Sequence, residues 1–141
     1  MKGTQTFNAV LRTAGLKSTA TRLAVLGVLT KETRPRSAQY IANTLKGSVD
    51  TVTIYRTLES LTESLLTYRT DFQHGHAEYE LAINRPHHHH LVCTECGIVE
   101  DVVTCPTATV EKKIIKNSKQ FSAIESHALE FFGRCINCAL T

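Results

Sequence analysis

Two Cys-x-x-Cys pairs constrain the fold of this chain more than any other feature. The first pair is Cys93 and Cys96, the second is Cys135 and Cys138, and 38 residues lie between them. Four thiolates suit a closed tetrahedral zinc site that contributes directly to folding. We expect structural zinc here, with a redox pair or unpaired buried thiols as alternatives. Cys105 has no spaced partner and is expected to be a plain thiol.

The expected cellular compartment bears on how the cysteines are interpreted. The N-terminal sequence lacks the apolar core of a signal peptide, and no apolar run approaches the roughly 18 residues that a membrane span needs. We therefore expect a cytoplasmic protein with no membrane partner. In such a reducing compartment, cysteines serve as metal ligands or redox groups rather than as disulfides.

A run of four histidines leads directly into the first cysteine pair. Side chains alternate along a strand, so His87 and His89 would point one way and His88 and His90 the other. One run would then supply two sites. Imidazoles combined with carboxylates suit zinc, iron(II) or manganese.

The first half of the chain is basic and has helical periodicity. Residues 1–69 contain ten Lys/Arg and four Asp/Glu, whereas residues 70–141 contain six and nine. This balance suggests a polyanionic partner for the first half, although solvated surface charge would give the same balance. Apolar spacing and cap residues predict four helices, within residues 6–14, 18–31, 37–47 and 50–65.

The fourth predicted helix has features of a DNA-recognition helix. Four residues at helical spacing are expected to form one buried stripe: Ile54, Leu58, Leu61 and Leu65. The other face carries small groups such as Thr53, with Tyr55 at its edge and Arg56 near the helix N-terminus. Such groups can reach base edges or phosphate in a major groove. An ordinary surface helix with a stray Tyr-Arg pair is the alternative.

Two alternating segments, LLTYRTDF and HAEYELA, predict a β-hairpin after this helix. Helices followed by a hairpin are the order of a winged helix-turn-helix, which usually binds DNA tightly only as a pair. Pro86 and its polar neighbours predict a hinge at residues 82–86. We therefore predict a DNA-binding domain over residues 1–81 and a metal-binding dimerisation domain over residues 87–141.

The second predicted domain mixes strands with one helix, which makes the whole chain α+β. Strands are expected on both sides of CTECG, and PTATVEKKIIKN is expected to form a helix. The segment IESHALEFFG alternates, which predicts a strand with His127, Leu129 and Phe131 on one face. A histidine on an apolar face needs a partner, either a hydrogen bond in the core or a metal.

Six stretches, in order through nearly the whole chain, resemble the ferric uptake regulator (Fur) family of metal-dependent repressors: AGLKSTATR, SAQYI, TVTIYRTLESL, AEYEL, HHHHLVCTECGIVED and SHALEFFGRCINC. The resemblance implies an N-terminal winged helix and a small C-terminal α/β dimerisation domain. It also implies a homodimer whose metal-loaded form binds palindromic, AT-rich operators in double-stranded DNA and represses metal-uptake genes.

The resemblance implies site residues by motif position. The structural zinc ligands would be Cys93, Cys96, Cys135 and Cys138. The regulatory metal site near the hinge would include Glu80, His88 and His90. A second metal site in the dimerisation domain would comprise His87, His89, Glu111 and His127. Contacts with DNA would involve Lys17, Tyr55 and Arg56.

The chain departs from the family pattern in two places. His89 replaces an aspartate of iron-sensing members, and four histidines are more similar to the zinc-sensing branch, since imidazole favours zinc. The histidine that many members place before the third helix is absent from TRPRSA. The missing ligand could come from His74, His76 or Glu100. We favour His76 because it directly precedes the strand that carries Glu80, with a solvent-exposed turn histidine that binds no metal as the alternative.

The expected cofactors are structural zinc and a regulatory iron(II) or zinc ion, which manganese(II) could replace in vitro. A zinc-uptake regulator and a peroxide- or redox-sensing regulator of the same family are the alternatives. A zinc-dependent nucleobase deaminase is a remote alternative, because HAE at 76–78 followed by Cys93-x-x-Cys96 imitates part of that signature. Val92 stands where the signature needs proline, so we expect a regulator and not an enzyme.

Overall fold

The computed structural model describes residues 2–73 and 75–141, which divide into two compact units, Met1–Arg85 and Pro86–Thr141. The division falls inside the predicted hinge, residues 82–86. His74, one of the residues considered as a metal ligand, lies outside the described residues. Within the described residues, no helix combines the length and the apolar character needed to cross a membrane.

The first unit is a winged helix, as predicted. Its elements are, in order, α1 (Lys2–Thr13), α2 (Ala20–Thr30), β1 (Arg36–Ser37), α3 (Ala38–Thr44), α4 (Thr51–Glu63), β2 (Thr67–Asp71) and β3 (Ala77–Leu81). The three strands form an antiparallel sheet in the order β1-β3-β2, and the β2–β3 hairpin is the wing.

Side-chain caps set the starts of three of these helices. The hydroxyl of Thr19 accepts a hydrogen bond from the Arg22 amide, and the hydroxyl of Ser37 accepts one from the Tyr40 amide. The Asp50 carboxylate accepts the Thr53 amide at 2.9 Å and so begins α4. Each cap satisfies an amide that has no partner inside its own helix.

The core of this unit confirms most of the predicted α4 stripe, but Leu65 was wrongly assigned to it. Ile54, Leu58 and Leu61 are fully buried, whereas Leu65 is 76% exposed. The helix ends at Glu63 and Leu65 takes a left-handed φ of 59°. The Leu65 and Leu66 amides donate to the carbonyls of Thr62 and Leu61, which is the Schellman pattern of helix termination. Leu66 therefore turns into the core in place of Leu65.

The second unit is a small α/β structure. Its elements are β4 (His89–Cys93), β5 (Val99–Val102), α5 (Ala108–Asn117), β6 (Glu130–Gly133) and α6 (Ile136–Ala139). The sheet order is β5-β4-β6, in which β4 pairs antiparallel with β5 and parallel with β6. The central strand β4 thus carries the end of the histidine run and the first paired cysteine.

The predicted strand over residues 124–133 is wrong for its first half. Only Glu130–Gly133 is a strand, and His127 and Leu129 precede it in irregular structure. β6 pairs with β4 from His90 opposite Glu130 onwards, and β4 itself begins only at His89. In this register only Leu129 of the segment before Glu130 would lie opposite a residue of β4, namely His89. The residues before Leu129 therefore have no strand to pair with, so alternation alone does not make them extended sheet.

Candidate metal centres and nucleic-acid interface

The four paired cysteines come together at one end of the second sheet. The parallel register places Cys93 opposite Gly133, so that the second Cys-x-x-Cys pair begins two residues beyond the partner of the first. The thiol sulfurs all lie within 4.8 Å of one another, and the Sγ atoms of Cys96 and Cys135 are 3.7 Å apart. A tetrahedral zinc ion with Zn–S bonds of about 2.3 Å separates its sulfurs by about 3.8 Å. The cluster therefore has the dimensions of a zinc site.

Backbone amides favour a thiolate at one corner of this cluster. Hydrogen bonds from the Cys96 and Cys135 amides lower the pKa of Cys93 to about 6, and the Cys135 amide lies 3.3 Å from the Cys93 sulfur. At the opposite corner, interaction with Cys135 and then Cys96 raises the pKa of Cys138. A second thiolate beside the first is costly without a cation, and a bound dication removes that cost.

A second cluster joins three histidines and one cysteine. The Nε2 atoms of His87, His89 and His127 lie 3.0 to 3.1 Å from one another. The sulfur of Cys105 is 3.4 Å from His89 Nε2 and 3.5 Å from His127 Nε2. Cys105, which we expected to be a plain thiol, therefore lies among histidine side chains that could hold a metal ion. A hydrogen bond from the Thr107 hydroxyl, followed by the contact with His89, lowers its pKa to about 6.

Glu111, predicted as the fourth ligand of this second site, stands behind the cluster instead. Its Oε1 lies 2.6 Å from Nδ1 of His127, on the side of the ring that faces away from the other histidines, and it accepts a hydrogen bond from Thr107. The donor atom that lies beside the three Nε2 atoms is the sulfur of Cys105. Glu111 therefore orients His127, in the manner of carboxylates that hold metal-binding histidines.

The other two histidines of the run form a separate pair, as strand alternation predicts. The rings of His88 and His90 are 5.0 Å apart and perpendicular. His90 Nδ1 lies 3.0 Å from a Glu130 oxygen, and its Nε2 lies 3.8 Å from Asp101. Both acidic residues are direct strand partners of His90, and sequence reasoning missed both. Only the strand register, which single-sequence periodicity does not give, would have found them.

The remaining predicted ligands of the regulatory site belong to the first unit or to β5. Glu80 lies on β3 with its side chain buried, and its carboxylate accepts a hydrogen bond from Arg85 at 3.1 Å. His76 precedes β3, is half-exposed, and has its Nε2 3.6 Å from the Glu78 carboxylate. Glu100 is exposed on β5.

The exposed face of α4 presents the predicted DNA contacts. Tyr55 and Arg56 are exposed there beside Val52, while the Thr53 hydroxyl donates to Asp50 at 2.7 Å and is engaged in the cap. Lys17 is exposed just before α2.

An arginine that sequence reasoning missed links the start of α2 to α4. The Arg22 guanidinium donates to the Lys17 carbonyl at 2.8 Å and to the Ser60 hydroxyl at 3.2 Å. Arg22 thus fixes the backbone of Lys17 relative to α4. Arg22 follows Lys17 by five residues, a spacing that matches no helical or strand periodicity, so the sequence alone did not predict this contact.

A winged helix with an exposed Tyr-Arg pair, joined in one chain to a unit with clustered thiols and imidazoles, defines a metal-responsive DNA-binding regulator. A family model described as the ferric uptake regulator family matches residues 13–132. The ferric uptake regulation protein of Cupriavidus metallidurans is 33% identical over 131 residues, which cover 90% of each chain.

Solved structures agree with this match. The ferric uptake regulator of Pseudomonas aeruginosa with manganese has a TM-score of 0.73 at 31% identity and covers 92% of this chain and 97% of its own. The Helicobacter pylori ferric uptake regulator has a TM-score of 0.75 at 21% identity, covers 98% and 92%, and supports the fold. The chain belongs to the ferric uptake regulator family. It is therefore a metal-responsive transcriptional regulator and not an enzyme, so the deaminase alternative is wrong.

Proposed function

We propose that this regulator is a repressor of metal-uptake genes that binds palindromic, AT-rich operators in the cytoplasm as a metal-loaded homodimer. The observation that carries the proposal is the division of the predicted regulatory ligands between the two compact units. Glu80 belongs to Met1–Arg85, whereas His88 and His90 belong to Pro86–Thr141. A metal ion that needs all three residues is bound only when the two units adopt one relative orientation.

This requirement couples metal binding to DNA binding. The metal stabilises one arrangement of the units, and that arrangement becomes more populated as the metal binds. If two recognition helices then match successive major grooves of the operator, operator affinity rises with metal. Coupling of this kind typically amounts to about 1–3 kcal/mol, or roughly 5- to 150-fold in affinity.

The proposed metals follow from donor chemistry. The four-thiolate cluster would hold structural zinc. The regulatory site would hold iron(II) or zinc, with His76 as a further ligand, because imidazoles and carboxylates suit both ions. Manganese(II) would replace them in vitro, which is consistent with the manganese in the Pseudomonas aeruginosa relative.

The test begins with an operator. Duplexes selected from a random pool by the metal-loaded protein provide the probe for fluorescence anisotropy, with iron(II), zinc or manganese(II) and with a chelator too weak to remove thiolate-bound zinc. We expect operator affinity to fall roughly 5- to 150-fold with the chelator. Equal affinity with and without metal, while elemental analysis shows the zinc of the four cysteines retained, would refute the proposal.

Two pairs of variants assign roles to individual residues. His88→Ala should remove the metal response but leave the metal-free affinity unchanged, and His76→Ala shows whether the wing histidine is a ligand.

Arg56→Ala should weaken operator binding by about 1–3 kcal/mol for each base that the arginine recognises. Lys113→Ala removes the same charge from the exposed side of α5 in the other unit and is the matched control. An equal weakening by Arg56→Ala and Lys113→Ala would show a purely general charge effect.

A further inference from the structure

We propose that Cys105 is a metal ligand, so that His87, His89, Cys105 and His127 form a thiolate-containing zinc site. This inference deepens the proposed function, on which it rests, because it assigns a donor set and a metal to the second site. It replaces the carboxylate that the family resemblance implies at this site with a sulfur.

The distances in the cluster match a tetrahedral zinc ion. With Zn–N bonds of about 2.0–2.1 Å and a Zn–S bond of about 2.3 Å, tetrahedral geometry separates two nitrogens by about 3.3 Å and a nitrogen and sulfur by about 3.5 Å. The nitrogen atoms lie 3.0 to 3.1 Å apart, and the sulfur lies 3.4 and 3.5 Å from two of them. All four donor atoms lie within 4.8 Å of one another.

The rings of His89 and His127 each make a hydrogen bond through Nδ1, on the side away from the cluster. This orients the Nε2 lone pair of each ring into the cluster. His89 Nδ1 lies 3.0 Å from the Leu129 carbonyl, which can only accept, so a singly protonated ring carries its proton on Nδ1. His127 Nδ1 donates in the same way to the Glu111 carboxylate. The Nε2 atoms of His89 and His127 then present two lone pairs to each other at 3.1 Å. Such an arrangement is repulsive without a proton or a cation between them, and a metal ion is the cation that four donors suit.

The donor set favours zinc over the harder ions. Among the four donors there is no carboxylate, since Glu111 is engaged with His127 and Thr107. A thiolate with three imidazoles suits zinc, whereas manganese and iron(II) sites prefer oxygen donors. The Thr107 hydroxyl lies 3.0 Å from the Cys105 sulfur, where it can donate to the thiolate. Because all four donors belong to Pro86–Thr141, this site binds metal without any residue of the first unit.

Cobalt(II) is the probe for this site in the full-length protein. Protein that retains zinc at the four paired cysteines is titrated with cobalt(II), and the sulfur-to-cobalt charge-transfer band is recorded with the ligand-field bands of tetrahedral cobalt. We expect the charge-transfer band in the wild type, its loss in Cys105→Ser, and displacement of cobalt by zinc. Cys105→Asp should bind cobalt without the sulfur band and should favour zinc over manganese(II) less strongly.

Glu111→Gln is the matched variant that separates a ligand from a residue that positions one. It should keep the charge-transfer band but weaken zinc binding by roughly 10- to 100-fold, as is typical when a histidine loses its carboxylate partner. A wild-type spectrum without a sulfur band, or a Cys105→Ser spectrum equal to that of the wild type, would overturn the proposal. A band retained in Cys105→Ser and lost in Glu111→Gln would also overturn it.

Alkylation of the wild-type protein gives a readout that needs no variant. Peptide mass spectrometry after iodoacetamide treatment should show Cys105 modified when this site is empty and protected when zinc is added. Equal modification with and without zinc contradicts the assignment. Neither measurement involves DNA, so failure here leaves the operator-binding experiment unaffected, and failure there leaves this one unaffected.

Discussion

Leu58→Ala and Leu65→Ala make the same chemical change at two positions that sequence spacing assigns to one buried stripe. The structure gives the two leucines opposite surroundings. Leu58 is fully buried in the core of the first unit, whereas Leu65 is 76% exposed just beyond the end of α4. We therefore expect a large loss of stability for the first substitution and almost none for the second.

The expected magnitudes follow from this burial. Truncation of a fully buried leucine removes its transfer free energy and leaves a cavity, which together cost about 2–5 kcal/mol. A unit of this size has a total free energy of unfolding of roughly 4–13 kcal/mol, so Leu58→Ala removes a large fraction of it. With a urea dependence of about 1–2 kcal/mol per molar, the unfolding midpoint should fall by at least about 1 M. Leu65→Ala should stay within about 0.5 kcal/mol of the wild type.

Tyrosine fluorescence measures the first unit selectively in the full-length protein. All four tyrosines lie within Met1–Arg85, and the chain has no tryptophan. Urea unfolding of the zinc-saturated protein, followed by this signal, gives a midpoint for each variant. Equal midpoint shifts for the two variants, or a cost above about 1 kcal/mol for Leu65→Ala, would refute the assigned end of α4 and the packing derived from it.

Three further predictions address caps, pH and zinc. Ser37→Ala removes the cap of α3 and should cost about 0.5–2 kcal/mol by the same tyrosine measurement; an unchanged midpoint would contradict the role of the cap. Hydrogen bonds from the Thr53 amide and then its hydroxyl lower the pKa of Asp50 below its ordinary 3.8. The stability that the ionised Asp50 cap contributes is therefore fully present above pH 3.8 and is lost as the pH falls through the lowered pKa. The difference in unfolding midpoint between the wild type and Asp50→Ala should shrink in acid. A difference that does not change with pH would contradict this role of Asp50. Removal of zinc from the four paired cysteines should unfold Pro86–Thr141, measured by circular dichroism, with less change in tyrosine fluorescence; retained structure without zinc would show that the site is not structural.

Local signals explain which parts of the fold were predictable from the sequence. The Asp50 cap and the stripe from Ile54 to Leu61 depend on residues within one helix, so a single sequence contains the information. The separation of His88 and His90 from His87 and His89 depends only on the alternation of a strand. The end of α4 was less predictable, because Leu65 adopts a conformation that usually favours glycine.

The site features that the sequence did not predict depend on which strands pair and in which register. Cys105 follows β5 and is brought to His89 by the pairing of β5 with β4, so no spacing rule marks it. Glu130 and Asp101 approach His90 through strand register. His127 was expected on a strand, yet it reaches its cluster from an irregular segment. In each case the information lies in which strands pair, and an isolated sequence does not state it.

The alternating histidines of β4 have a consequence for how this regulator can change over evolution. A substitution at His89 can change the metal preference of its own cluster. It leaves His88 and His90 in place, since the two pairs of histidines lie on opposite faces. Insertion or deletion of one residue within the run would have a different effect. Each histidine before the change would move to the opposite face of the sheet, while Cys93 would keep its position. Metal preference can therefore drift by point mutation, whereas the spacing between this run and Cys93 should tolerate no change in length.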